Sequence, residues 1–108
     1  MQRRVLLDEC LPKNLKRALP THSVATVQEM GWSGKKNGEL MQLAHGQFEV
    51  FLTSDQNLRY QQHLAYGDVG VMVLVAPTNR IEALHPLMPR VNQILPTIKA
   101  GEVIEVTL

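Results

Sequence analysis

Apolar residues in this chain alternate between two patterns: short unbroken runs, and segments in which they recur every three or four positions. The runs predict strands at Arg4 to Leu7, Ser23 to Val27, Val50 to Thr53, Val69 to Val75 and Val103 to Val106. Consecutive apolar positions mark strands buried on both faces, as in parallel sheets covered by helices. The spaced segments predict helices. One opens at Pro12, carries Leu15 and Leu19 inward and is closed by Pro20. A single helical turn over Gln28 to Ser33 ends at Gly31, and Leu40, Leu43 and Ala44 share one face of a helix capped by Asn37. The polar stretch Gln56 to His63 reads as a short helix or turn. Ile81, Leu84, Met88, Val91, Ile94, Leu95 and Ile98 keep a helical spacing that Pro86, Pro89 and Pro96 interrupt. Proline removes a backbone donor, so two pieces are expected. The longer starts near Pro86 and is kinked or ended by Pro96, with Gly101 as a C-cap.

Strands that alternate with helices, with no two-residue hairpin turn between them, imply right-handed parallel crossovers. The expected architecture is a three-layer α/β/α sandwich with a mostly parallel central sheet, Val69 to Val75 central and Val103 to Val106 at an edge. At 108 residues and 44% apolar, the chain fits one domain spanning 1–108 and leaves no room for a second.

Charge and cysteine content narrow the class further. A net charge of +1 gives no global field for nucleic acid, although Arg3-Arg4, Lys13/Lys16/Arg17 and Lys35-Lys36 are local basic clusters. Cys10 is the sole cysteine, so an intrachain disulfide is excluded and a reducing compartment is expected. The opening is charged and then strand-like, without a signal peptide or membrane span, and the expectation is a cytoplasmic protein.

Candidate chemistry sits at strand ends. Val5-Leu6-Leu7 runs into Asp8-Glu9, and Val50 to Ser54 runs into Asp55. In an open α/β sheet the carboxyl ends of strands border the crevice where ligands bind. Glu39, early in the second helix, is expected at the same rim. Carboxylates gathered there repel unless a cation or a shared proton relieves them, and hard divalent ions such as Mg²⁺ or Mn²⁺ take oxygen ligands. A single aspartate after a strand more often serves as a helix cap or turn former. Three converging acids shift the balance toward a site. Thr53 and Ser54 either orient a water or phosphate oxygen or satisfy turn amides, the commoner use. Lys35 and Lys36 are read as a solvated pair that could also contact a phosphate backbone. Trp32 is read as core cover before a stacking platform.

Three stretches carry a family resemblance: Leu6-Leu7-Asp8-Glu9-Cys10-Leu11-Pro12, Asn37-Gly38-Glu39-Leu40-Met41-Gln42-Leu43-Ala44 and Phe51-Leu52-Thr53-Ser54-Asp55-Gln56-Asn57-Leu58. They resemble the small bacterial PIN-like domains, in particular the group with a Leu-Leu-Asp-Glu-Asn-Leu-Pro opening, over nearly the whole chain. The resemblance implies a PIN-like fold and a metal-dependent ribonuclease, many of which are toxins of toxin–antitoxin pairs. It implies Mg²⁺ or Mn²⁺ as cofactor, RNA as substrate and a cognate antitoxin as partner, and leaves a homodimer open. Carried over by residue, Asp8 matches the first family acid, Glu9 the adjacent carboxylate and Asp55 the later acid, with Glu39 as a substitute for the lost middle acid; Asp8, Glu39 and Asp55 are thus the catalytic candidates, and Asp8, Glu9, Glu39, Asp55 and Asn57 the metal ligands. Lys35, Lys36, Thr53 and Ser54 would bind substrate. The family commonly has Asp where this chain has Asn37 and Asn57; each replacement keeps an oxygen donor but removes a charge. Cys10 stands where the group has Asn.

Two readings compete with the nuclease. Asn37 and Asn57 suit a catalytically silent PIN-like binding domain. A phosphoacceptor receiver domain would use Asp8-Glu9, Asp55 and Thr78, but it needs a Lys after the fifth strand, and Glu102 to Leu108 holds none. His22, His45, His63 and His85 show no metal-ligand spacing, and neither a P-loop nor a nucleophile elbow is present.

Overall fold

The computed structural model describes residues 2–56 and 68–108. Five strands, β1 (Arg4–Leu7), β2 (Ser23–Thr26), β3 (Val50–Thr53), β4 (Gly70–Leu74) and β5 (Val103–Val106), form one sheet in the order β2-β1-β3-β4-β5. Every pairing is parallel. The three inner strands bury almost every residue, which is why their sequences are unbroken apolar runs rather than alternating ones. The Val69 to Val75 run is interior, flanked by β3 and β5, but the middle strand is β3; full burial requires only a neighbour on each side.

Strand alternation divides the core in two. Val5, Leu7, Val50, Leu52, Met72, Leu74 and Val106 face a layer made by the 3-10 helix Lys13–Ala18 and by α2 (Ile81–Leu84) and α3 (Met88–Ile94). Leu6, Phe51, Val71 and Val73 face α1 (Asn37–Ala44), which contributes Leu40, Met41 and Ala44. Each fully buried Leu or Phe stabilises the fold by about 1.5–3 kcal/mol.

That partition corrects the expected crossovers. β1→β2 and β4→β5 step toward opposite edges of the sheet, yet their helices cover the same face, and Asn92 of α3 donates to the Ala18 carbonyl at 2.9 Å. Two parallel crossovers that step in opposite directions on one face have opposite hands. β1→β2 and β2→β3 therefore share one hand and β4→β5 has the other, an exception to the usual rule. Residues 75–80 hold no regular structure, leading from the carboxyl end of β4 to α2 on that face.

Local elements follow the sequence with defined adjustments. The segment after Pro12 is a 3-10 helix rather than an α-helix, with Leu15 and Leu19 still buried and Leu19 N–H bonded to the Lys16 carbonyl. Pro20 leaves too little chain to propagate further. After β2, Thr26 and Glu29 exchange backbone-to-side-chain hydrogen bonds of 2.8 and 3.0 Å in a capping box, and Lys16 pairs with Glu29 at 2.7 Å. The turn closes with Trp32 N–H on the Val27 carbonyl and Gly31 N–H on that of Gln28, Gly31 sitting at φ 77° as such a termination requires. Asn37 is the first residue of α1, not its cap; Lys36 occupies the cap position without a side-chain bond. The C-terminal helical region is α2, a 3-10 turn His85–Leu87 and α3, which ends before Pro96. Gly101, at φ 78°, serves the turn entering β5 rather than a helix end. Most of the Gln56 to His63 segment lies outside the described residues.

No described helix is long and apolar enough to cross a membrane. Gly70 opens β4 where a Cβ would lie 3.0 Å from the Lys99 carbonyl and 3.1 Å from Ile98, whereas one on Gly38 would meet nothing within 4 Å. Gly70→Ala is therefore expected to cost about 1–3 kcal/mol of stability, while Gly38→Ala in α1 is neutral or stabilising by up to about 1 kcal/mol. Urea unfolding of the two variants checks this, and equal midpoints would count against the close approach.

Candidate functional site

Strand order creates the site. From β1 the chain moves one way to β2 and then returns past β1 to β3, so the crevice opens between the carboxyl ends of β1 and β3. Their register pairs Leu7 with Leu52, which brings the residues that follow, Asp8 and Thr53, level with each other. Asp8 N–H continues the ladder to the Leu52 carbonyl at 2.9 Å.

Asp8 is buried, and its carboxylate is held from two sides. Oδ1 accepts the Glu9 amide at 2.8 Å; Oδ2 accepts the Thr53 hydroxyl at 2.6 Å and the Cys10 thiol at 3.4 Å. Thr53, fully buried, accepts the Asp55 amide on the same hydroxyl at 3.0 Å. One oxygen thus ties both aspartates to the end of β3. Asp55 Oδ2 accepts Asn37 Nδ2 at 2.9 Å, which fastens the start of α1 to the same rim. Asn37 acts here as a donor to the neighbouring carboxylate.

These groups open onto a cleft of about 610 Å³. Asp8, Glu9, Cys10, Ser54 and Asp55 form the side contributed by β1 and β3, and Lys35, Lys36, Asn37 and Gly38 the side leading into α1. Asn79, from the segment after β4, completes the lining.

The sequence candidates are distributed unevenly. Asp8, Glu9, Asp55, Ser54, Lys35 and Lys36 all border the cleft. Thr53 lies beneath it as a brace. Glu39 does not line it; its exposed carboxylate lies 4.0 Å from Lys35, one helical turn away. Glu9 turns its carboxylate to the Gly34 amide at 2.9 Å. Asn57 lies outside the described residues. Among the described residues, no three His, Cys, Asp or Glu side chains converge on a metal-sized position. Three of the other basic residues are engaged elsewhere: Arg3 and Arg4 with Glu49, Lys16 with Glu29. Trp32 packs edge-on against Phe48, with centroids 6.1 Å apart, and covers the core on the α1 face.

Cys10 is a neutral partner in this network. Burial pushes its thiol above the usual range and the Asp8 charge adds to this, against the lowering effect of the Ser54 hydroxyl, which donates to sulfur at 3.2 Å. A protonated thiol donating to Asp8 does not supply the thiolate that zinc prefers. The remaining donors are hard oxygens, and Mg²⁺ is commonly held by one or two carboxylates with water and substrate phosphate completing its shell. Asp8 and Asp55 fit that use; they do not form an all-protein cage.

A family model described as PIN like domain matches residues 3–78, from the first strand through the carboxyl end of β4. The chain belongs to the PIN-like domain family. The match takes in both aspartates of the PIN-like domain and stops just before Asn79. No curated protein and no solved structure matches the chain.

Sequence reasoning missed Asn79. A polar residue in a carboxyl-end loop was the available signal, but the reversed last crossover that carries this segment from β4 to the Lys13–Ala18 face was not legible.

Thr53→Val keeps the buried volume but removes a hydroxyl bonded to a carboxylate, so it should cost about 1.5–3 kcal/mol, with Thr53→Ser retaining most of the stability. Denaturant unfolding measures the difference. A Val variant as stable as the Ser variant would show that the bridge holds nothing in place.

Proposed function

We propose that this PIN-like domain hydrolyses RNA phosphodiester bonds with Mg²⁺ or Mn²⁺. The observation that carries the reading is the pair Asp8 and Asp55, tied through one threonine hydroxyl and facing a polar cleft whose other side presents Lys35 and Lys36. Asp8 and Asp55 would hold the ion. When bound, it neutralises phosphate charge and lowers the pKa of a coordinated water. The chain's own residues do the rest. Thr53 fixes the orientation of Asp8, Asn37 fixes Asp55, and the lysines draw the backbone to the rim without reading sequence. Among the described residues that line the cleft, none is aromatic.

The expected result is RNA turnover that requires Mn²⁺ or Mg²⁺ and is abolished by chelation. Asp8→Asn and Asp55→Asn should each lower it about 100-fold or more, since losing even an outer-shell partner of a metal ligand costs about 10–100-fold, with folding nearly intact because repulsion between the acids is relieved. Glu39→Gln should retain most activity. Turnover in Asp8→Asn equal to wild type at the same metal concentration would overturn the assignment.

The position of Glu39 favours one further reading, a catalytically silent PIN-like domain that binds without cleaving. RNA binding with no metal-dependent turnover would select it.

The family resemblance extends the proposal to a toxin restrained by a cognate antitoxin in the cytoplasm. An Arg or Lys of the partner inserted between Asp8 and Asp55 would take the place of the metal through charge-assisted hydrogen bonds. Calorimetry should then show partner binding weakened by Mn²⁺ and by Asp55→Ala. Affinity indifferent to both would remove the inhibition scheme.

A further inference from the structure

The segment Trp32 to Asn37 is fastened at three points. Trp32 is pinned to the core by Phe48, Gly34 N–H donates to Glu9 Oε1 at 2.9 Å, and Asn37 Nδ2 donates to Asp55 Oδ2 at 2.9 Å. Lys35 and Lys36 lie between the second and third fastenings, and both line the cleft. Gly34 sits at φ 82°, a conformation that L side chains rarely adopt and that helps turn its amide toward Glu9. Glu9 is itself steadied by Gln28 Nε2, which donates to its carbonyl at 3.4 Å. Its neighbour Asp8 faces the Thr53 brace. Adjacent residues at the end of β1 thus divide the work, one carboxylate turned to the braced rim and the other to the loop.

We propose that Glu9 is a positioning residue whose carboxylate latches the Lys35-Lys36 loop through the Gly34 amide, making that loop a preorganised phosphate-binding arm for single-stranded RNA. The inference rests on the nuclease reading of the same cleft. The lysines are two long, flexible cations, Lys35 with Glu39 4.0 Å away on the solvent side of α1; alone they would sample many positions away from the rim. Bonds on either side hold their backbone, so less freedom is lost when a phosphate chain settles across them. Glu9 acts through the loop and not by its charge. Its negative charge, taken alone, would repel RNA.

That opposition of sign gives the test. Fluorescence anisotropy with a single-stranded RNA oligonucleotide in EDTA, over a salt series, compares wild type, Glu9→Gln, Glu9→Ala and the double variant Lys35→Ala/Lys36→Ala. Each lysine–phosphate contact contributes about 0.7 to the slope of log affinity against log salt, so the double variant should lose about 1.4. A glutamine oxygen still accepts the Gly34 amide, and Glu9→Gln should bind as tightly as wild type or tighter. Glu9→Ala should bind more weakly than Glu9→Gln, and its slope should fall toward that of the lysine variant. Hydrogen exchange at Gly34 should be faster in Glu9→Ala than in Glu9→Gln. Equal binding and equal Gly34 exchange in the two Glu9 variants, with the lysine variant still impaired, would overturn the latch and leave the nuclease reading standing. Absence of RNA binding by the wild type would overturn both.

Discussion

Parallel pairing of β1 with β3, in the register that sets Leu7 beside Leu52, is the constraint from which the rest of this PIN-like domain follows. It places Asp8 against Thr53, so that one hydroxyl reaches Asp8 and the Asp55 amide together. A slip of one residue would reverse the face of every side chain along β1 relative to its neighbours and separate the aspartates. The register is secured by burial. Val5 and Leu7 enter one core while Leu6 enters the other, so neither layer can be satisfied with β1 displaced.

The two ends of the sheet are treated differently. At the amino end, Arg3 and Arg4 share the one carboxylate of Glu49. The pair made by Arg4, whose side chain is exposed, stabilises the fold little. The carboxyl end keeps Asp8 and Asp55 facing a cleft, braced by neutral donors: a threonine hydroxyl, an asparagine amide and a protonated thiol. Asp8 and Asp55 stand on one side of the cleft and Lys35 and Lys36 on the other.

Asn37 shows how an amide can organise a neighbouring carboxylate. An acid at that position would face Asp55 and repel it; the amide instead donates to it and draws α1 to the rim. Order at Asp55 is gained. Cys10 shows a similar adjustment, since a thiol kept neutral by burial adds a weak donor to Asp8 where an ionised group would compete with it.

The sequence by itself determined the strands, the two-sided burial and the placement of Asp8 and Asp55 at strand ends, because continuous apolar runs and the punctuation by Pro and Gly act locally. Leu15, Leu19, Leu40 and Ala44 were legible as core for the same reason. Only the tertiary structure decided which candidates meet. Glu39 begins the expected helix but faces solvent and Lys35, because its place around the helix is set by Leu40, Met41 and Ala44 turning inward. Glu9 turns to a loop amide that no spacing rule brings near it. Asn79 lines the cleft at the head of a crossover that carries α3 to the same face as the Lys13–Ala18 helix. Such outcomes come from packing between elements distant in the chain, where no local pattern carries the information.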